Sequence, residues 1–448
     1  MKRVLSILAV VVLVSVFCVP VSAAEKEWTW LVFLNADNNL DEYGVQDELE
    51  MAKVGSNDWL NIVSLIDREK GPATLNYIEK GKVTPVKEMG ELDMGDYKLL
   101  SSWMKDMIAM YPAKHYALII WNHGSGWKNA SNNIIKGISY DDSTGNHITT
   151  EQLALAMKEI KGHLGRNVDI FCMDACLMQM MEVAYAVKDS CDYIVASEET
   201  EPGHGYPYDG ILATLTKTTT PREFAKNIVA AYTASYNNGT QGSSASTQSA
   251  LDAAKLNALT DAINGFAKTA IAGKYGPQFK DALVKVQKFY YRTNIDLGHF
   301  ATVLKASIKD EDFQTAAKKL ETAVAEAVVA NGLNGGTMKN ATGVAIYFPS
   351  TSYSFSSEYA KLDFANDTLW DEMVLDYYKK ITAPAIMADV VKSDLGSLRE
   401  YVANANENNR EVSADLLSKL NFRVFAETGV DAATQDSVNA LVKELKIK

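Results

Sequence analysis

Val168-Asp169-Ile170-Phe171-Cys172-Met173-Asp174-Ala175-Cys176-Leu177 is a near-continuous apolar run that closes on an acid, a small residue and a thiol. A run of this kind reads as a strand covered on both faces. Its carboxyl end is where open α/β sheets bind ligands. Beyond it, Leu177, Met180, Met181, Ala184 and Val187 repeat with helical spacing, so the sequence predicts a helix that starts at or just after Cys176. A thiol at a helix N-terminus feels the positive end of the macrodipole, which favours the thiolate. Cys172 lies inside the strand and reads as inert packing.

Working outward, comparable apolar runs occupy residues 28–34, 62–66, 117–121, 193–196 and 344–348. Helical stretches fall between them, among them 97–110 and 150–161, the latter opened by Thr149 or Thr150 as N-cap. Strands alternating with helices predict a three-layer α/β/α sandwich built on a mainly parallel sheet. The chain then divides into a leader (1–23), a core (24–251), a helical insertion that returns a late strand at 343–348 to the sheet (252–350), and a mainly helical C-terminal region (351–448). The polar stretch 237–247 reads as a mobile surface loop.

The leader has Lys2 and Arg3 before an apolar segment and Val21-Ser22-Ala23 as a small-residue cleavage site, the pattern of an export signal. No other segment is long and apolar enough to span a membrane. The expected protein is therefore secreted or periplasmic. With 44 Lys+Arg against 56 Asp+Glu and a net charge of −12, it repels phosphate backbones, and nucleic acid is excluded as a partner. Removal of Cys18 with the leader leaves Cys172, Cys176 and Cys191, an odd set for an oxidising compartment. At least one thiol stays free, and either burial or chemistry must account for it.

Chemistry finds a partner in Trp121-Asn122-His123-Gly124-Ser125-Gly126-Trp127, which follows the 117–121 run. His123 and Cys176 thus each stand at the carboxyl end of a strand, with glycines that let backbone N–H groups approach a substrate. If those strands are neighbours, the imidazole can take the thiol proton and later protonate a leaving amine. The amides of Gly124 and Cys176 would then face the oxyanion.

Five segments in this order resemble the clostripain family of cysteine peptidases: residues 30–40, 121–127, 137–142, 174–178 and 343–349. The resemblance runs from about Trp28 to about Ser350 and implies a caspase-like fold with His123 and Cys176 as the catalytic dyad. Caspases place their His about 50 residues before their Cys, and His123 precedes Cys176 by a like interval. The resemblance also implies protein or peptide substrates cut after Lys or Arg, with Asp174 near the pocket for that basic side chain. Residues i and i+2 of a strand share a face, and a carboxylate in a cleft selects a cation. The competing use of Asp174 is as a cap for the following helix.

Family members are also cut internally between the His and Cys motifs, which points to the polar loop 128–136 and to the Lys136–Gly137 bond. Some depend on calcium. No cofactor is required for the chemistry, and no metal ligand is assigned. Asp37 with Asp41, or Asp141 with Asp142, are the acidic pairs that calcium would use, against their reading as solvated surface. His204 reads as a cleft-lining loop residue without a catalytic part. The alternatives are a caspase-like hydrolase of another specificity and an inactive binding module on the same fold.

Overall fold

The computed structural model describes residues 24–127 and 137–381. The leader, the loop that carries Lys128 and Lys136, and the tail beyond 381 lie outside them.

A nine-stranded sheet forms the centre. From one edge to the other its strands are Val328–Asn334, Ser246–Asp252, Cys191–Ala196, Val168–Asp174, Ala113–Trp121, Lys26–Ala36, Leu60–Arg68, Ala73–Glu79 and Lys82–Gly90. The five in the middle, from Cys191–Ala196 to Leu60–Arg68, run parallel. Antiparallel neighbours flank them on both sides. The sheet is mixed and its parallel part carries the expected apolar runs.

Alternation along these strands builds two cores. Leu31, Phe33, Leu118, Ile120, Phe171 and Met173 face the helices Tyr97–Met110 and Thr150–Leu164 and the helical insertion. Trp30, Val32, Ile119, Trp121, Ile170 and Cys172 face the other way, onto Phe224, Ile228 and Tyr232 of the helix Pro221–Ser235. Burial on both faces explains why the sequence shows continuous apolar runs there instead of alternation. The helix Thr150–Leu164 opens on a capping box: Thr149 Oγ1 accepts from the Gln152 amide at 3.3 Å, and Gln152 Oε1 accepts from the Thr149 amide at 3.0 Å.

Three elements differ from the sequence reading. The helix after the central strand spans Met181–Val187, so it does not start at Cys176. Leu177 adopts φ 65°, a left-handed turn that no helix continues through, and Gln179–Met180 then runs extended beside Ala345. The late strand Ala345–Tyr347 pairs with Asn294–Asp296 in a small separate sheet. The strand that the insertion returns to the main sheet is Val328–Asn334. Finally, the stretch read as a loop contains a hairpin (Asn237–Gly239 with Gly242–Ser243) and then the start of the buried strand Ser246–Asp252. In the C-terminal region, the helix Trp370–Ile381 falls among the described residues and packs Trp370, Met373 and Tyr377 into the first core.

Candidate active site

The strand register brings the two motifs together. Trp121 pairs with Asp174 across the neighbouring parallel strands, and the Asn122 amide donates to the Asp174 carbonyl at 3.2 Å. His123 and Cys176 therefore stand two residues beyond the same rung of the sheet. A Cβ placed on Gly124 would lie 2.5 Å from the Cys176 carbonyl oxygen and 2.9 Å from Ala175 Cβ, so only glycine fits this approach. Among the described residues the Gly124 amide has no acceptor in the chain, and the Cys176 amide turns only to its own thiol. Two N–H groups so placed beside a thiol can stabilise a developing oxyanion.

Cys176 is half-buried and Cys172 and Cys191 are buried; all three are free thiols. Burial pushes the Cys176 thiol above its ordinary value, against the pull of the Glu201 amide, which donates to Sγ at 3.2 Å. The helix begins too late to stabilise the thiolate as the sequence suggested. Burial also pulls the His123 imidazole below its ordinary value. Both shifts disfavour the charged form of each group. Asn39 Oδ1 lies 2.8 Å from His123 Nε2, and among the described residues no hydrogen bond within the chain engages Nδ1.

The His123 loop is tied to the far side of the 128–136 segment. The Ser125 amide donates to the Gly137 carbonyl at 3.1 Å. Tyr140 Oη meets Ser125 Oγ at 2.7 Å and accepts from the Gly137 amide at 2.9 Å. Gly137 has no room for a side chain, since a Cβ there would overlap the Ile148 carbonyl. Lys136 lies outside the described residues.

Asp174 is buried on the face opposite the helical insertion, where Oδ2 accepts from the Tyr206 amide at 3.2 Å and the Tyr208 hydroxyl at 2.9 Å. It does not cap the next helix, whose N-terminus has no side-chain cap. Its carboxyl meets that of Glu201, and no donor of the chain reaches either Glu201 oxygen among the described residues. Two carboxyls in contact can bond only if one keeps its proton. Burial pushes both above the ordinary carboxylate range, Glu201 further through the charge of Asp174. The pair lies close to the Cys176 thiol, because the Glu201 amide donates to Sγ and the Cys176 charge acts on the Glu201 carboxyl.

Sequence reasoning missed Asn39, Glu201 and Glu199. All three follow the carboxyl end of a parallel strand, as His123 and Cys176 do, and that position was the available signal. His204 is an exposed loop residue whose ring meets Tyr43 edge-on at 5.5 Å, at the rim of the acidic pair. Of the acidic residues weighed for calcium, three have partners within the chain. Asp41 makes a two-pronged bond to Arg68, Asp37 accepts from the Ser143 amide, and Asp141 accepts from Met94 and Thr144. Among the described residues no three His, Cys, Asp or Glu side chains converge as a metal site. No described helix is long and apolar enough to cross a membrane.

Comparison with known proteins gives a consistent result. The profile of the clostripain family matches residues 32–378. Clostripain of Hathewaya histolytica is 32% identical over 217 residues, a match that spans 41% of this chain and 41% of that protein. The chain thus covers well under two thirds of the length of this curated relative. Among solved structures, a secreted C11 cysteine protease from Bacteroides thetaiotaomicron is similar with a TM-score of 0.61 at 19% identity, covering 77% of this chain and 99% of that one. An inactive zymogen C11 protease from Parabacteroides distasonis gives 0.60 at 18% identity, covering 77% and 98%. At such identities the likeness is one of fold.

Proposed function

The chain belongs to the clostripain family of cysteine peptidases, and from that membership we propose that it is an exported endopeptidase that cleaves after Lys or Arg, with Cys176 as nucleophile and His123 as its base. The observation that carries this reading is the Asp174–Glu201 carboxyl pair close to the Cys176 thiol. A buried pair of acids short of one charge is the complement of an ammonium or guanidinium group.

The steps use the chain's own groups. A Lys or Arg side chain enters the acidic pair and sets the following carbonyl against Sγ. As Sγ attacks, His123 Nδ1 takes the thiol proton, and the carbonyl oxygen, now negative, is received by the Gly124 and Cys176 amides. His123 then gives its proton to the leaving amine, and a thioester remains. Water, deprotonated by His123, hydrolyses the thioester and restores the thiol. Asn39 holds the imidazole with its lone pair on Nδ1 throughout.

Self-cleavage at Lys136–Gly137 completes the proposal. The bonds from Ser125 and Tyr140 to Gly137 support it, because they hold the new amino terminus in place beside the His123 loop after the cut.

Peptides with Lys, Arg, Asp or Leu before the reporter, offered to the purified protein and to Cys176→Ala with calcium supplied, test the reading. Turnover of only the Lys and Arg peptides, lost in Cys176→Ala, is expected. A new amino terminus at Gly137 in the active protein alone is expected alongside it. Turnover of Asp or Leu peptides would overturn the specificity, and no turnover of any would overturn the activity.

A further inference from the structure

The turn Lys288-Phe289-Tyr290-Tyr291-Arg292 takes no part in the chemistry above, yet it is fixed beside it. Phe289 is buried, its amide donates to the Asn294 carbonyl at 3.2 Å, and the Asn294 amide donates back to Tyr291 at 2.8 Å. Lys288 bridges to Ile295, so the turn is a rigid small hairpin. Its tip connects through one intervening residue to the neighbours of both Cys176 and His123. On the thiol side, the Tyr290 amide donates to Glu199 Oε1 at 3.1 Å, while the Glu199 carbonyl accepts from Leu177, the residue after Cys176, at 3.1 Å. On the imidazole side, Tyr291 lies beside Tyr140, the phenol bonded to Ser125.

The turn and the acidic pair occupy opposite faces of the sheet. Asp174 follows Cys172 and Ile170 onto the face of Tyr206 and Tyr208. Phe289 belongs with Met173 and Leu177 in the other core. A substrate whose basic side chain descends on the first face sends its leaving-group side past His123 toward the second. From Leu177, the residue after Cys176, to Tyr290 the path is two hydrogen bonds and one Glu side chain, on the order of 10 Å, the span of about three extended residues.

The tip is chemically distinctive in an acidic protein. Tyr290 is 65% exposed and stands edge-on to Tyr291 with ring centres 5.2 Å apart. Lys288 and Arg292 flank the rings, close enough that Arg292 depresses the Lys288 amine further than burial does alone. Among the described residues neither cation has a carboxylate partner.

We propose that this turn is the subsite for the leaving-group side of the substrate and that it selects acidic residues two or three places past the cleaved bond. The assignment rests on the peptidase reading and deepens it. Tyr290 supplies an apolar platform that lowers the local dielectric, and Lys288 and Arg292 supply the charge.

The test uses quenched peptides with one Lys before the cleaved bond and Asp-Asp, Asn-Asn or Ala-Ala at the second and third places after it, beside a Lys aminomethylcoumarin amide that carries nothing there. The active protein is expected to prefer Asp-Asp to Asn-Asn by roughly tenfold in kcat/KM, the effect of two partly desolvated charge contacts. In Lys288→Ala/Arg292→Ala that preference falls to about onefold, and in Tyr290→Ala the quenched peptides slow by roughly threefold, the scale of one aromatic contact. The loss is confined to substrates that extend past the bond, so coumarin release stays level. An unchanged Asp-Asp preference in the double variant, or equal losses on coumarin and peptides, overturns the subsite. Absence of coumarin release from the unsubstituted protein overturns the peptidase reading instead.

Discussion

Nε2 of His123 stands 2.8 Å from Oδ1 of Asn39, and an imidazole that donates from Nε2 presents its lone pair at Nδ1. On the proposed mechanism, the amide oxygen selects the tautomer that accepts the Cys176 proton. In Asn39→Ala the ring is free to turn and to exchange tautomers. We expect kcat to fall by about ten- to a hundredfold with KM little changed, the scale of losing a hydrogen-bonded partner that only orients a histidine. Steady-state kinetics on a Lys substrate reads this directly, and an unchanged kcat would mean that the ring is held some other way.

Burial lowers the His123 pKa from 6.5 and raises that of Cys176 from 9.0. The sign is that of a neutral pair: His123 loses its proton below the ordinary imidazole range, and Cys176 keeps its own above the ordinary thiol range. The acid limb of kcat at saturating substrate should lie below pH 6.5. Alkylation of Cys176 by iodoacetamide in the free enzyme should keep accelerating from neutral pH upward. A rate already level at pH 6.5 would instead reveal a thiolate–imidazolium pair.

Glu201→Gln and Asp174→Asn each remove one of the two carboxyls that meet near Sγ. Cleavage after Lys and Arg should lose about a hundredfold in kcat/KM, mostly through KM, the scale of one buried ionic contact. The Lys-to-Leu ratio, measured on matched fluorogenic peptides, should fall by the same factor. A uniform loss on every peptide would point to a misplaced thiol instead, since the Glu201 backbone also holds Sγ.

Glu182 is fully buried, accepts from the Tyr347 amide and the Tyr359 hydroxyl at 2.9 Å each, and is pushed up to about 7 by burial. Its folded pKa exceeds its unfolded one, so its contribution to stability is full below the unfolded value and is lost as pH rises through about 7. The shift corresponds to about 3 kcal/mol. Glu182→Gln keeps both acceptor contacts and has no charge to bury. Thermal unfolding at pH 5 and pH 8 should show a drop in Tm for the native sequence and a smaller drop for the variant. Equal drops would place the pH sensitivity elsewhere.

The strands under the dyad were legible because burial on both faces makes them continuously apolar. The sheet edges were not. Lys82–Gly90 is exposed along most of its length and contains Pro85, as an edge strand tolerates, so it shows neither a run nor an alternation. Ser246–Asp252 is buried yet begins Ser-Thr-Gln-Ser. Its side chains are satisfied across the fold, Gln248 at the Tyr206 hydroxyl and Ser249 at the Gly343 carbonyl, partners that no local pattern reveals. His123 and Cys176 carried their own signal in glycines and strand ends. Asn39 and Glu201 act only through where the chain carries them, and the helical periodicity after Cys176 described burial correctly while Leu177 broke the helix itself.

If the Asp174–Glu201 pair is the specificity pocket proposed above, that pocket is an ion exchanger. Its second charge is held at rest as a proton, and a lysine or arginine side chain that enters it takes the proton's place. Each binding event should therefore release a fraction of a proton to solvent, and the measured heat of inhibitor binding should depend on the ionisation enthalpy of the buffer. Below the range in which the pair can yield that proton, the basic side chain competes with hydronium for the same seat. KM for basic substrates should then rise with acidity even where the dyad is still competent, so that acid would silence the enzyme at the specificity pocket before it silences the chemistry.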